Sequence, residues 1–393
     1  MKIDPRILAL KAEVTEWRRD FHENPEVMYE VHRTAGIVAQ KLRDFGCDEV
    51  VEGIGRTGVV GVIHGRKGAD GKPASSKVVG LRADMDALPI EEETNLPHRS
   101  KTPGKMHACG HDGHTAMLLG AAKHLAATRE FDGTVIVIFQ PAEEGGAGGK
   151  AMVDDGMMER WGINEVYGMH NMPGIAPGQF ALRPGPIMAA ADQFIVTIEG
   201  KGAHAAAPHL GIDPVLVGAH TITALQSIAS RNTDPLKSVV VSVTMFNAGT
   251  AMNIIPSRIE LRGTVRTLES AIRDLAETRF RAIVEGTAKV FGATATIEYR
   301  RGYPATVNHP RETGYATEIA REICGTDKVD ANVAPMMGGE DFSYMLEKRP
   351  GAYIFIGNGD TAGLHHPAYD FNDEIIPSGV QIFTSLAQQR TAG

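Results

Sequence analysis

The stretch TVIVIFQPAEEGG, residues 134–146, joins six β-prone residues to a cluster of two carboxylates and two glycines. A continuous run of this kind reads as a strand buried on both faces, the habit of parallel sheets. Four more runs read the same way: VVGVI (59–63), KVVGL (77–81), NEVYGM (164–169) and AYIFIG (352–357). Helical pattern occupies 34–45 and 115–128 between them. Strands alternating with helices predict an α/β domain with a largely parallel sheet.

The middle of the chain alternates differently. ADQFIVTIEGKG (191–202), VVVSVTMF (239–246), SRIELRGTVRT (257–267) and ATATIEYRRG (293–302) read as strands. DPVLVGAHTITALQSIAS (213–230) and SAIRDLAETRFRAIVEGTAKVFG (270–292) read as helices. The order β-α-β-β-α-β is that of a ferredoxin-like sandwich. The economical plan is one α/β domain, 1–186 and 303–393, interrupted by an inserted α+β domain at 187–302. A chain of 393 residues also exceeds what one core usually supports.

Composition narrows the partners. The formal net charge is −8, from 40 basic against 48 acidic residues, which argues against nucleic acid. The apolar runs are too short to cross a bilayer. The N-terminal MKIDPRILALKAEVTEWRRDFHENPE is charged throughout and lacks a signal-peptide core. Leu10, Val14, Trp17 and Phe21 recur there at helical spacing, so a surface helix is expected. Three scattered cysteines, Cys47, Cys109 and Cys324, suit a reducing cytoplasm better than a disulfide framework.

Five polar clusters stand at or just beyond predicted strand ends: RADMD (82–86), MHACGHDGH (106–114), QPAEEGG (140–146), MHNMPG (169–174) and GLHHPAYDFND (363–373). In an open α/β sheet, the carboxyl ends of the strands form the ligand crevice. Each cluster alone has a bland reading. Cys109 can be a structural cysteine beside surface histidines, and Glu143–Glu144 a solvated turn. A cysteine nucleophile needs a lowered thiol pKa and a paired histidine, and no known nucleophile signature surrounds Cys109. A phosphate loop fails because Glu144 stands where the first glycine before Lys150 is required. In an extended segment Cys109 and His111 would point the same way and could grip one ion, with a helix beginning at Thr115.

Taken together, MHACGHDGHTA, FQPAEEGGAGGKAM, GMHNMPG, GKGAHAAAPHLGIDPV, MNIIP, GGEDF and LHHPAYDFND resemble the metal-dependent amidohydrolases of the aminoacylase/hippurate hydrolase type. These sit within the wider aminoacylase–carboxypeptidase family of zinc exopeptidases. The resemblance runs from the first helix to about residue 380. It implies a catalytic α/β domain with an inserted lid and dimerisation domain, and a site for two divalent ions. Zinc is the first expectation, with manganese, nickel or cobalt as alternatives. The implied ligands are Cys109, His111, Glu144, His170 and His365, with His366 left open beside His365. Glu143 is the implied general base. Distant relatives carry His-x-Asp where this chain has Asp84-Met85-Asp86, so Asp86 is expected to orient a ligand rather than to bind metal.

In the inserted domain the resemblance marks His204 as an oxyanion donor, in its own chain or across to a partner subunit. Asn253 and Arg266 fall at positions that contact the substrate's carboxylate end. The implied activity is hydrolysis of N-acyl-amino acids by a cytoplasmic homodimer or homotetramer joined through the lid. A dipeptidase or carboxypeptidase using the same site is an alternative within enzymes. A metal- or peptide-binding protein without catalysis is the rival from another class. It is disfavoured because a binder needs neither Glu143 nor His204.

Overall fold

The computed structural model describes residues 2–69 and 71–393. The chain forms two compact units, Met1–Ile187 with Val307–Ala334 and Asp341–Gly393, and Met188–Thr306 with Pro335–Glu340. The second unit therefore keeps 303–306 and reclaims 335–340, both expected in the last part of the α/β domain. Backbone pairing explains the second piece: Ala189 N–H donates to Gly338 O at 2.8 Å. The Thr306 hydroxyl also donates to Glu340 O, at 3.3 Å.

The first unit is built on an eight-stranded mixed sheet. Its centre is four mutually parallel strands, in the order Thr134–Gln140, Val78–Asp84, Glu165–Pro173 and Gly351–Gly359. Val135 to Phe139 are all fully buried, as an apolar run without alternation requires. Gly58–His64 adds antiparallel on one side and carries Glu49–Ile54 beyond it. That edge strand was not expected, because three of its six residues are polar or glycine. Two-residue strands, Phe180–Ala181 and Val329–Asp330, close the other side.

The helix His111–Thr128 lies on the strand Val78–Asp84 and packs against helices Pro5–Glu23 and Ile376–Arg390. Pro5–Glu23 starts where Asp4 caps Arg6 N–H, with Pro5 in the first turn. Its inward face holds Ile7, Val14, Trp17 and Phe21, together with the buried Arg18 and His22. His111–Thr128 begins four residues before the expected Thr115. Gly110, at φ 89°, reverses the chain just ahead of it, so His111 sits in the first turn rather than in an extended segment.

The second unit carries a four-stranded antiparallel sheet. In chain order its strands are Ala190–Glu199, Val239–Ala248, Arg258–Thr267 and Thr294–Arg301, arranged second-third-first-fourth. This is the ferredoxin-like order. Helices Pro214–Leu225 and Ser270–Val290 cover one face over a separate apolar core that includes Phe194, Phe280 and Val284.

Candidate metal centre

The four parallel strands end on one edge, and the polar clusters gather there. Val78–Asp84 runs on to Asp86, Thr134–Gln140 to Glu143 and Glu144, and Glu165–Pro173 contains His170 and Asn171. Two non-glycine residues at this edge adopt left-handed backbone, Ala142 (φ 52°) and His365 (φ 63°). Such conformations cost energy and persist where surrounding contacts hold them. One holding contact is plain. Asp86 accepts Glu143 N–H at 2.9 Å and Glu144 N–H at 3.1 Å, one on each carboxylate oxygen.

The histidines are oriented through their Nδ1 atoms. His170 Nδ1–H donates to Asn171 O at 2.6 Å, which leaves the Nε2 lone pair 3.4 Å from Cys109 Sγ. His111 Nδ1–H donates to the Asp86 carbonyl at 2.8 Å. Its Nε2 is buried with no hydrogen-bond partner, and so is Glu144 Oε1. His365 Nε2 stands 3.2 Å from that Glu144 oxygen without the alignment of a hydrogen bond, and His111 Nε2 stands 3.9 Å from it. Buried polar atoms are nearly always satisfied, so two orphans facing each other mark a place for something else.

Among the described residues five donor groups meet the geometry of a cation site; two use Glu143, with His111 and Glu144 or with Glu340 and Asp341, and two share Cys109, with His111 and His170 or with Glu144 and His365. The fifth group, Asp84 with His111 and His114, is close enough but already committed. His114 gives Nδ1–H to Asp84 at 2.6 Å and accepts Asn171 N–H on Nε2 at 3.0 Å, which leaves no lone pair for a metal. Asp84 is also held by the buried Arg82 at 2.8 Å, and Arg82 reaches on to Asp341 and Gln140.

The electrostatics fit a cation. Burial pushes the Cys109 thiol well above its ordinary range, and Glu144, Glu143 and Asp84 push it the same way. Burial drives His170 well below its usual value, with His114 adding to the effect. For His111 burial opposes the charge, but Asp84, Asp86 and Glu144 overcome it and raise the group to about 10. The carboxylates thus draw a proton onto a buried imidazole that lacks a partner on Nε2. A divalent ion in the proton's place would free that lone pair and favour the thiolate. Soft sulfur, three imidazoles and a carboxylate are donors that zinc accepts together.

The first unit therefore brings Cys109, His111, Glu143, Glu144, His170, His365 and Asp86 to one edge of one sheet. His365 is the more exposed member, with about half its side chain open. The remaining candidates lie in the second unit. His204 and Asn253 line one cavity of about 570 Å³ there. Arg266 lines another, of about 350 Å³, with Phe194, Arg262 and Arg300. His204 accepts Ala206 N–H on Nδ1 at 3.0 Å, leaving Nε2 for an outside partner. Arg266 is half-buried and donates Nε–H to Thr264 Oγ1 at 3.1 Å. Among the described residues it makes no carboxylate pair, whereas Arg262 and Arg300 pair with Glu260 and Glu298.

Asn171 and Tyr369 were not singled out from the sequence. Both lie inside motifs that were, but neither is a residue type that advertises a metal site.

Comparison with known proteins agrees with this architecture. The chain is 43% identical over 387 residues to the hippurate hydrolase of Campylobacter jejuni subsp. jejuni, spanning 98% of this chain and 99% of that one. It is 41% identical over 360 residues to the N-acetyl-L-cysteine deacetylase of Bacillus subtilis, covering 91% and 83% of the two chains. Among solved structures it resembles the Bacillus subtilis YXEP protein, a dinuclear metal binding peptidase of the M20 family. That likeness has a TM-score of 0.83 and 34% identity over 97% of this chain and 98% of that one. Residues 80–389 match the description of peptidase family M20/M25/M40, and the chain belongs to that family.

Proposed function

We propose that the protein hydrolyses the amide bond of N-acyl-amino acids, releasing the free amino acid and the carboxylic acid, with two divalent ions at the Cys109 edge. The observation that carries this reading is the pair of donor groups sharing Cys109, beside a second glutamate, Glu143, that neither group uses. The hippurate hydrolase and deacetylase relatives support the substrate class. Cys109, His111 and His170 would hold one ion, and Cys109, Glu144 and His365 the other. Zinc fits this donor set first. When bound, the ions supply positive charge that polarises the scissile carbonyl.

The chain's own groups supply the proton chemistry. Glu143, with its backbone N–H tied to Asp86, takes a proton from the attacking water and passes it to the leaving amine. His204 serves as hydrogen-bond donor to the developing oxyanion, its Nδ1 already spent on Ala206. Arg266, without a carboxylate of its own, and Asn253 receive the substrate's free carboxylate. Assembly through the second unit as a homodimer or homotetramer belongs to the same reading, as does a cytoplasmic setting. All three cysteines are free, and no helix among the described residues is long and apolar enough to cross a membrane.

The test combines elemental analysis with a substrate panel of N-benzoyl- and N-acetyl-amino acids, their carboxamides, and dipeptides. Two ions per chain and release of free amino acid from several acylated substrates are expected. Carboxamides should be cleaved much more slowly. A protein that cleaves dipeptides but no acylated amino acid is a peptidase. One that cleaves nothing in the panel while holding two ions overturns the assignment.

A further inference from the structure

His114 is fully buried, sits one turn into the metal-site helix, and has both ring nitrogens engaged by groups that are not proposed ligands. On one side Asp84 Oδ1 accepts Nδ1–H at 2.6 Å. On the other, Nε2 accepts the backbone N–H of Asn171 at 3.0 Å. The carbonyl of the same residue, Asn171, accepts Nδ1–H of His170 at 2.6 Å. The Asn171 side chain sets its acceptor Oδ1 2.7 Å from His114 Nε2 and donates Nδ2–H to the Tyr369 hydroxyl. The rings of His114 and His170 meet edge-on with centroids 4.6 Å apart. Gly110 completes the arrangement, since a Cβ there would stand 2.2 Å from Asn171 Oδ1.

We infer that His114 is a positioning residue for the metal site, acting through Asn171 to fix the orientation and tautomer of His170. This rests on the two-metal reading above. Only a His170 protonated on Nδ1 presents its Nε2 lone pair toward Cys109, and only a fixed Asn171 peptide keeps the carbonyl where Nδ1–H needs it. His114 holds the residue that carries this carbonyl, with Nε2 3.0 Å from the Asn171 backbone nitrogen and 2.7 Å from Asn171 Oδ1. Asp84 in turn holds the His114 ring through Nδ1–H. Asp84 thus stands three hydrogen-bond links from His170. Groups that hold a metal-binding histidine through its second nitrogen typically affect metal affinity about 10–100-fold. The effect should fall on the ion held by His170 and spare the one held by Glu144 and His365.

Two variants separate positioning from bulk packing. In His114→Asn the amide can still pair with Asp84 from the Nδ1 position but cannot reach the Asn171 N–H. In His114→Gln the amide oxygen takes the Nε2 position and can accept that N–H. Metal-free protein is titrated with zinc(II) against a chromophoric chelator, and the His170 tautomer is read from long-range ¹H–¹⁵N imidazole spectra of the metal-free form. Wild type should bind two ions in two resolvable steps. His114→Asn should weaken one step about 10–100-fold and lose the single His170 tautomer, with the other step within about threefold. His114→Gln should restore most of the lost affinity.

A wild type that binds no zinc overturns the metal reading and this inference with it. Two unchanged steps in a folded His114→Asn overturn this inference alone. Equal weakening of both steps makes His114 a general packing residue. If His114→Gln loses the ion as completely as His114→Asn, the histidine is a ligand and the positioning role is wrong.

Discussion

Asp86 is the residue on which the placement of both glutamates rests, and truncating it makes a quantitative prediction. Its two carboxylate oxygens each accept one backbone N–H, from Glu143 at 2.9 Å and from Glu144 at 3.1 Å. Asp86→Ala leaves both donors without a protein acceptor, at about 1–3 kcal/mol for each that stays dry. Glu143 is buried and Glu144 is partly open to solvent, so the first incurs the larger part and water relieves the second. A further relief comes from Asp86 itself: burial raises its pKa, so the wild-type carboxylate is already held at some cost. The net expectation is a loss of about 2–4 kcal/mol for Asp86→Ala and about 1–2 kcal/mol for Asp86→Asn, which keeps one acceptor. The assay is urea unfolding of metal-free protein followed by tryptophan fluorescence. Trp17 and Trp161 are the only tryptophans and both lie in the first unit, so the signal reports the unit that contains Asp86. Turnover should fall as well, because a base displaced by about 1 Å can lose about 100-fold. An Asp86→Ala protein within about 0.5 kcal/mol of wild type, the usual range of an inconsequential surface change, would refute the argument.

Glu143→Gln should lower turnover by about 100-fold or more while zinc content stays at the wild-type level; undiminished turnover in a metal-replete variant would move the base elsewhere. Gly110→Ala adds a Cβ at φ 89°, 2.2 Å from Asn171 Oδ1 and 2.6 Å from Tyr369 Oη. Left-handed backbone costs about 1–2 kcal/mol and the overlap about 1–3 kcal/mol more, so urea midpoints should drop clearly, and an unchanged midpoint would contradict the packing described. His22 predicts an alkaline loss of stability. Burial opposes its charge, but Asp112, 2.8 Å away, and Glu92 raise its pKa from 6.5 to about 9. Its contribution, about 3 kcal/mol, is fully present below about pH 6.5 and is lost as pH rises through about 9. Stability measured from pH 6 to 10 should show that decline in wild type and a flatter one in His22→Gln, and parallel curves would remove His22 as the cause.

The parallel core was legible because its signal is redundant: four or more consecutive apolar or glycine residues at each strand have few other uses in a chain of this composition. The edge strand Glu49–Ile54 was not, since one hydrogen-bonded side and an exposed surface leave its sequence almost unconstrained. The start of the metal-site helix was missed by four residues for a different reason. His111–Thr128 is buried nearly all round, so no change from polar to apolar marks its first turn, and only Gly110 signals it. Cys109, the histidines and the glutamates could be picked out by residue type at strand ends. Asn171 could not, because it acts through its own backbone N–H and C=O, which any residue possesses. Its side chain is readable only once His114 and Tyr369 are known to flank it.

Asp84 ends the strand Val78–Asp84 at the edge where the donors gather. Asp84 is buried and spends its oxygens on Arg82 and His114, so the end of that strand holds other residues in place instead of binding an ion. The donors come instead from the turn that opens the helix His111–Thr128. A thiolate two residues ahead of an 18-residue buried helix lies in the positive end of the helix dipole, which favours sulfur as an anion. Burial, and after it the surrounding carboxylates, push the other way and win while the site holds only protons. A cation reverses that balance at Cys109 and His111 together, since it both replaces the proton on His111 and stabilises the thiolate. Metal uptake should therefore release protons, from Cys109 and from His111, and metal affinity should climb with pH more steeply than a site of histidines and carboxylates alone would show.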